Sequence, residues 1–164
     1  MSDIQTFKNI YLEKNLFDFK NFIITSKFPW YFSPHQTMTA KDTGFFGHNF
    51  YANHSFCSPH IDLIAPLLEF INPTSILNIR LNFLINRKDS YCSSFHTDSY
   101  NNQLNHTTAI FYVNTNNGYT EFEDGTKILS EENKLITFPA HKKHRACSQT
   151  DKPYRVVVNL NYFK

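Results

Sequence analysis

From Ser75 onward apolar residues recur with a period of two, and that alternation commits most of the chain to β structure. Over Ile76 to Ile85, the residues Leu77, Ile79, Leu81, Phe83 and Ile85 fall on one side of a strand, with Asn78, Arg80 and Asn82 on the other. The run Tyr154 to Tyr162 divides in the same way, Val156, Val158, Leu160 and Tyr162 against Arg155, Val157, Asn159 and Asn161. Two strands thus set Arg and Asn opposite an apolar face. Such polar faces either meet solvent or line a polar cavity inside a closed double sheet, and both readings stand at this point.

Further short strands are expected at Thr107–Asn114, Tyr119–Glu123, Lys127–Leu129, Lys134–Phe138 and Arg145–Ser148. Asn116-Asn117-Gly118, Asp124-Gly125 and the acidic Ser130-Glu131-Glu132-Asn133 supply the turns between them. The first seventy residues read as helix and loop. Leu12, Leu16, Phe19, Phe22 and Ile23 predict an amphipathic helix over 10–26, which FPWYF (Phe28–Phe32) stops, because Pro29 disfavours a helical Phe28. Pro59 to Ile71 predicts a second helix closed by Asn72-Pro73. Residues 37–58 read as a lid or a plain aromatic loop. The expectation is one domain over 1–164, mainly β with N-terminal helices: helical and loop support over 1–74, then a β core over 75–164 in a sandwich or barrel.

Composition narrows the function classes. With 41% apolar residues the chain can bury a core, and 17 Phe with 9 Tyr favour strands and aromatic-lined pockets. Four glycines are few for β structure, so the many asparagines are expected to occupy turns. A net charge of +2 does not call for a nucleic-acid partner. Cys57, Cys92 and Cys147 form no CxxC and read as free thiols in a reducing compartment, compatible with ferrous iron. MSDIQTFKNI lacks the pattern of a secretion signal, and no apolar run approaches the roughly 18 residues of a membrane span. The expected location is the cytoplasm, with no membrane partner.

His96-Thr97-Asp98 is followed, forty-six residues after Asp98, by His144 and then by Arg155. Residues i and i+2 of a strand share a side, so His96 and Asp98 can reach one ion, and a histidine from a neighbouring strand completes a triangular face. Two imidazoles and a carboxylate with three positions left open is the donor set of non-haem ferrous iron. A structural zinc site would ask for four protein ligands, usually with cysteine. His141 competes with His144 for the third place. The apolar Ala146 and Cys147 after His144 favour it, whereas His141 lies in a polar turn. Arg155, inside Tyr154-Arg155-Val156-Val157-Val158, needs an anionic partner, and a dicarboxylate co-substrate would supply one.

Taken in order, FPWYF, GHNFY (Gly47–Tyr51), FHTD (Phe95–Asp98), TTAIFYVNTNNGYTEFEDG (Thr107–Gly125), LITFPAHKKH (Leu135–His144) and YRVVVNLNYF (Tyr154–Phe163) span most of the chain. This set resembles the 2-oxoglutarate/Fe(II)-dependent dioxygenases, in the branch that includes prolyl hydroxylases and many phage-encoded homologues. The resemblance implies a double-stranded β-helix, a jelly roll of the cupin kind. It implies Fe(II) held by His96, Asp98 and His144, and 2-oxoglutarate held through Arg155, whose planar guanidinium pairs bidentately with a carboxylate. O2 is the second co-substrate, and ascorbate an accessory at family level. Asn82 stands where relatives show Asn-x-Tyr, but here the third position is Leu84; Tyr91 or Tyr112 is the expected replacement, and Asn159 a further contact. For a phage-encoded member the location implied is the host cytoplasm.

The implied reaction couples decarboxylation of 2-oxoglutarate to hydroxylation of an unactivated C–H bond, with a protein or peptide substrate such as peptidyl proline favoured. Three readings compete. An AlkB-like nucleic-acid dioxygenase would use Lys142-Lys143-His144-Arg145 against phosphates, yet the second arginine of that group is Asn161 here. A small-molecule hydroxylase would be selected by segments 37–58 and 99–106. A cupin-like binding protein without turnover would bind metal alone.

Overall fold

The computed structural model describes residues 3–34, 44–98 and 105–164. In chain order these form β1 (Gln5–Lys8), α1 (Glu13–Ile23), β2 (Tyr31–Ser33), β3 (Phe45–Ala52), β4 (Ser55–Phe56), a 3-10 turn (Ile61–Ile64), α2 (Ala65–Ile71) and β5 (Ser75–Ile85). Then come β6 (Thr107–Tyr112), β7 (Tyr119–Phe122), β8 (Lys127–Leu129), β9 (Lys134–Pro139), β10 (His144–Cys147) and β11 (Tyr154–Phe163). Strands pair antiparallel in a large sheet of order β1-β9-β6-β11-β5-β3-β2, with β4 on β3, and a small sheet of order β10-β7-β8. Two antiparallel sheets of this kind, with short helices on one side, fit a jelly roll.

The large sheet is covered on both faces. Leu16, Phe19 and Ile23 of α1, at helical spacing, pack with Leu67 and Ile71 of α2 against Ile79, Leu81, Phe111, Val156, Val158 and Leu160. The opposite face turns Ile110, Tyr112, Ile136, Phe138 and Val157 toward Phe122 of the small sheet. The period-two split of β11 therefore separates helix-facing residues from those between the sheets, and the polar side lines a cavity rather than meeting solvent.

Four local expectations need correction. Residues 1–74 contribute β1 to β4 as well as two helices, because β3 (FFGHNFYA) is buried on both sides and shows no alternation to read. The first helix is shorter than 10–26: Leu12 is its exposed N-cap, and the Trp30 indole N–H donates to the Ile23 carbonyl at 2.7 Å, satisfying a terminal acceptor. The expected helix over 59–71 starts as a 3-10 turn and ends at Asn72 in a left-handed conformation (φ 48°). In β5 the register steps from Asn161↔Asn78 to Tyr162↔Ile76. Leu77 is thus the extra residue of a bulge, which puts Ile76 against the core and Leu77 at the cavity; Ile85, at the strand end, is exposed.

The expectation of few glycines and many turn asparagines matches the backbone: Asn9, Asn53, Asn72 and Asn133 have positive φ. Of the expected lid 37–58, residues 37–43 lie outside the described residues, and the rest forms β3, β4 and their flanks. Within 99–106, residues 99–104 also lie outside them.

Candidate metal centre

His144 opens β10, and His96 lies on an adjoining segment that runs antiparallel to it. The N–H of His96 donates to the His144 carbonyl at 3.0 Å, and the N–H of His144 donates back at 2.9 Å. Asp98 N–H reaches the Ala140 carbonyl at 3.1 Å, so the turn before β10 also fixes the carboxylate. The three side chains converge: Nε2 of His96 and of His144 lie 3.6 and 3.9 Å from Asp98 Oδ1, and the three donor atoms fall within 4.8 Å of one another. His141, by contrast, is exposed in the turn after β9.

Each imidazole is oriented from behind. His96 Nδ1 donates to the Ser94 carbonyl at 3.2 Å and His144 Nδ1 to the Lys142 carbonyl at 3.1 Å. A carbonyl only accepts, so the proton sits on Nδ1 and the Nε2 lone pairs face Asp98, the tautomer a metal ligand needs. The Phe138 ring packs edge-on against His144 at 4.9 Å between centroids. Burial holds the His144 pKa down, against the pull of Asp98, favouring the neutral imidazole. For Asp98, burial pushes the pKa up, but His144, His96, Asn159 and Thr108 outweigh it, and the net shift is downward. Asp98 Oδ2 accepts from Asn159 Nδ2 and the Thr108 hydroxyl, each at 3.2 Å, leaving Oδ1 to the histidines.

These donors border a cavity of about 690 Å³ whose floor is β5, β11 and β6. Arg155 stands in its wall, 1% exposed, with Nε donating to Ser130 Oγ at 2.7 Å and Nη2 to Thr120 Oγ1 at 3.5 Å. Its Nη1 is buried without a hydrogen bond, and among the described residues no carboxylate pairs with it. An arginine keeps its charge in a protein, so an unspent donor in this place calls for an anion. Gly118 makes room for it: a Cβ there would stand 2.7 Å from Arg155 Cδ.

Of the other expected co-substrate contacts, Asn82 and Asn159 line the cavity, and Asn82 Oδ1 is buried without a partner. Leu84 lines it in place of a tyrosine. Tyr112 sits behind the wall, its hydroxyl donating to Thr120 Oγ1 at 2.9 Å, with burial raising its pKa to about 12. Tyr91 is not brought to the cavity; its ring lies under Arg87. Sequence reasoning missed Thr108, Thr120, Ser130 and Gly118. No spacing rule marks a hydroxyl or glycine that acts through a neighbour.

The reading of Cys92 and Cys147 as free thiols is overturned. They form a disulfide, because the segment carrying His96 places Cys92 directly opposite Cys147, Cα atoms 4.0 Å apart, in the close non-hydrogen-bonded pairing of antiparallel strands. Only Cys57 is a free cysteine among the described residues, and the compartment argument drawn from three thiols loses its basis. No described helix is long and apolar enough to cross a membrane. The basic run beside the site is paired: Lys142 with Asp124 at 2.9 Å, Lys143 with Glu123 at 3.0 Å, and Arg145 with Glu121 at 2.6 Å.

Solved structures share this architecture over nearly the whole chain. A 2OG-Fe(II) oxygenase family oxidoreductase from Burkholderia pseudomallei superposes with a TM-score of 0.71 at 10% identity, covering 98% of this chain and 85% of that one. The α-ketoglutarate-dependent epimerase SnoN from nogalamycin biosynthesis gives 0.70 at 10% identity, covering 99% and 78%. The viral collagen prolyl hydroxylase of Paramecium bursaria Chlorella virus-1 gives 0.62 at 12% identity, covering 99% and 90%. No protein-family model and no curated protein sequence matches the chain.

Proposed function

We propose that this chain is a 2-oxoglutarate- and Fe(II)-dependent dioxygenase that hydroxylates an unactivated C–H bond on a double-stranded β-helix scaffold. One observation carries the reading: a His, His, Asp donor set with both Nε2 atoms free shares a cavity with a buried arginine that lacks a carboxylate. An intact donor set beside Arg155 argues against a cupin-like protein that binds metal alone.

In this reading His96, Asp98 and His144 hold Fe(II), which when bound couples decarboxylation of 2-oxoglutarate by O2 to oxidation of the substrate. The balance is 2-oxoglutarate, O2 and R–H to succinate, CO2 and R–OH. Asp98 brings the negative charge, and Asn159 with Thr108 holds its second oxygen so that Oδ1 stays toward the metal. Arg155 pairs with the distal carboxylate of 2-oxoglutarate, its Nε steadied by Ser130 and Nη2 by Thr120. Asn82 is a further co-substrate contact, and Tyr112 acts through Thr120. The helix layer and the second sheet shield the floor of the cavity from water.

The fold neighbours include a collagen prolyl hydroxylase and an epimerase from nogalamycin biosynthesis, so peptide and small-molecule substrates are both served by this architecture. A peptidyl side chain is the working substrate. The nucleic-acid reading is disfavoured, since Lys142, Lys143 and Arg145 are already neutralised by acidic neighbours. The test is succinate release from labelled 2-oxoglutarate by the iron-loaded protein across peptide, metabolite and oligonucleotide pools. Turnover that depends on His96, Asp98 and Arg155 is expected; unchanged release in His96→Ala or Asp98→Ala would sink the assignment.

A further inference from the structure

Arg80 is a second guanidinium in the cavity, and the reaction as derived does not use it. In register it lies between Asn159 of β11 and Asn49 of β3, so its side chain rises from the same face as the Asn159 amide that holds Asp98. Gly47 clears its path: a Cβ there would stand 2.6 Å from Arg80 Nη2 and 2.7 Å from Nε. The guanidinium then rests with Cζ 4.6 Å from the centroid of the Phe45 ring, a platform that fixes its plane without satisfying its donors.

One of those donors is unspent: Nε is buried and makes no hydrogen bond, and no ion pair to Arg80 is found among the described residues. The contrast with the rim is direct, where Arg145, Lys142 and Lys143 each have an acidic partner. A permanently charged group held partly dry in a cavity is costly unless something anionic arrives. Arg155 does not take over this role. Its rung pairs with Leu84, four residues along β5 from Arg80, roughly 13 Å of strand.

We propose that Arg80 is the recognition point for an anionic group, a carboxylate or a phosphate, on the primary substrate. The substrate class is then an acid, not a neutral or cationic molecule. This inference rests on the dioxygenase reading, in which Arg155 is occupied by the co-substrate. Asn78, two residues from Arg80 and also at the cavity, offers an amide donor to the same group.

The experiment has two independent arms. In the first, the Arg Nε–H resonances of nitrogen-15-labelled full-length protein are followed by NMR and assigned with Arg80→Gln and Arg155→Gln. Saturating 2-oxoglutarate is expected to move the Arg155 signal. Inorganic phosphate or acetate added afterwards is expected to move the Arg80 signal saturably, the tighter probe identifying the oxyanion. If neither probe moves it, or if 2-oxoglutarate moves Arg80 in place of Arg155, the proposal is overturned. If 2-oxoglutarate moves neither arginine, the dioxygenase reading fails, while the phosphate and acetate titrations still decide whether Arg80 is an anion site. In the second arm, substrates found by succinate release are compared with their methyl esters or dephosphorylated forms. Loss of stimulation on neutralisation is expected, with KM raised at least tenfold in Arg80→Gln and partly recovered in Arg80→Lys. A neutral or cationic molecule that turns over equally well in Arg80→Gln overturns the proposal.

Discussion

His96 and His144 face each other as a hydrogen-bonded pair, each backbone N–H donating to the other's carbonyl, while their rings meet at 4.6 Å between centroids. The two imidazoles are therefore placed by one local ladder rather than by separate loops. Asp98, two residues from His96, inherits that placement.

Support from behind the donors should matter almost as much as the donors. Asn159→Ala removes the amide that holds Asp98 Oδ2. Metal affinity is expected to fall by about 10-fold to 100-fold, the range seen when an outer partner of a ligand is lost. Titration with Mn(II), followed by electron paramagnetic resonance, measures it; unchanged affinity would mean that Asp98 needs no such support.

Gly118→Ala places a methyl where only 2.7 Å separates it from Arg155 Cδ. The arginine stem must shift, and 2-oxoglutarate binding should weaken about 10-fold or more, since a guanidinium pairs bidentately only in one orientation. Calorimetric titration with 2-oxoglutarate reads this directly, with the melting temperature as control, because the added methyl also meets Asn116 Oδ1 at 2.8 Å and the Cys147 carbonyl at 3.0 Å.

The Cys92–Cys147 link closes a loop over a sequence separation of 55 residues. Chain-entropy arguments put its contribution near 4 kcal/mol. Cys92→Ser with Cys147→Ser, or treatment with a thiol reductant, should lower the melting temperature clearly. Matching melts of oxidised and reduced protein would show the link to be dispensable.

His144 contributes acid sensitivity to the metal-free site near neutral pH. Burial lowers its folded pKa below its ordinary 6.5. Between the folded pKa and 6.5 the unfolded chain binds more protons than the folded one, so stability rises with pH across that window and levels off above it. Metal-free protein should melt progressively lower as pH drops below about 6.5. His144→Gln should show a shallower decline; an equal slope in both would assign the effect elsewhere.

Phe111 is fully buried on the helix-facing side, its ring 4.9 Å from that of Tyr11. Phe111→Ala should cost about 3–5 kcal/mol, as a cavity in a packed core does. Denaturant unfolding measures it, and a loss under 1 kcal/mol would mean that the helix layer repacks freely.

What could be read in advance follows from where periodicity is clean. β11 alternates strictly, so its two faces, and the cavity role of Arg155 and Asn159 among them, were open to inspection. β5 was readable down to Asn78, but the bulge at Leu77 exchanges the faces of Ile76 and Leu77, and a bulge leaves no mark in an apolar string. β3 escaped notice because Phe45, Gly47, His48 and Phe50 are all buried. His48 is accommodated by the Pro29 carbonyl at 2.8 Å and Ser58 Oγ at 2.7 Å, which hydropathy does not reveal. The Cys92–Cys147 pair depends on the same cross-strand contact that joins His96 to His144, a tertiary fact. Thr120 and Ser130 steady Arg155, a role that depends on the folded contact.

Trp30 is the chain's single tryptophan, and its position has an optical consequence. Its indole N–H is bonded to the last residue of α1, and its ring packs 5.1 Å from Phe83 of β5. The fluorophore thus straddles the seam between helix layer and large sheet. A red shift in its emission while far-ultraviolet dichroism holds steady would signal α1 peeling away from sheets that are still intact, and no extrinsic dye is needed to see it.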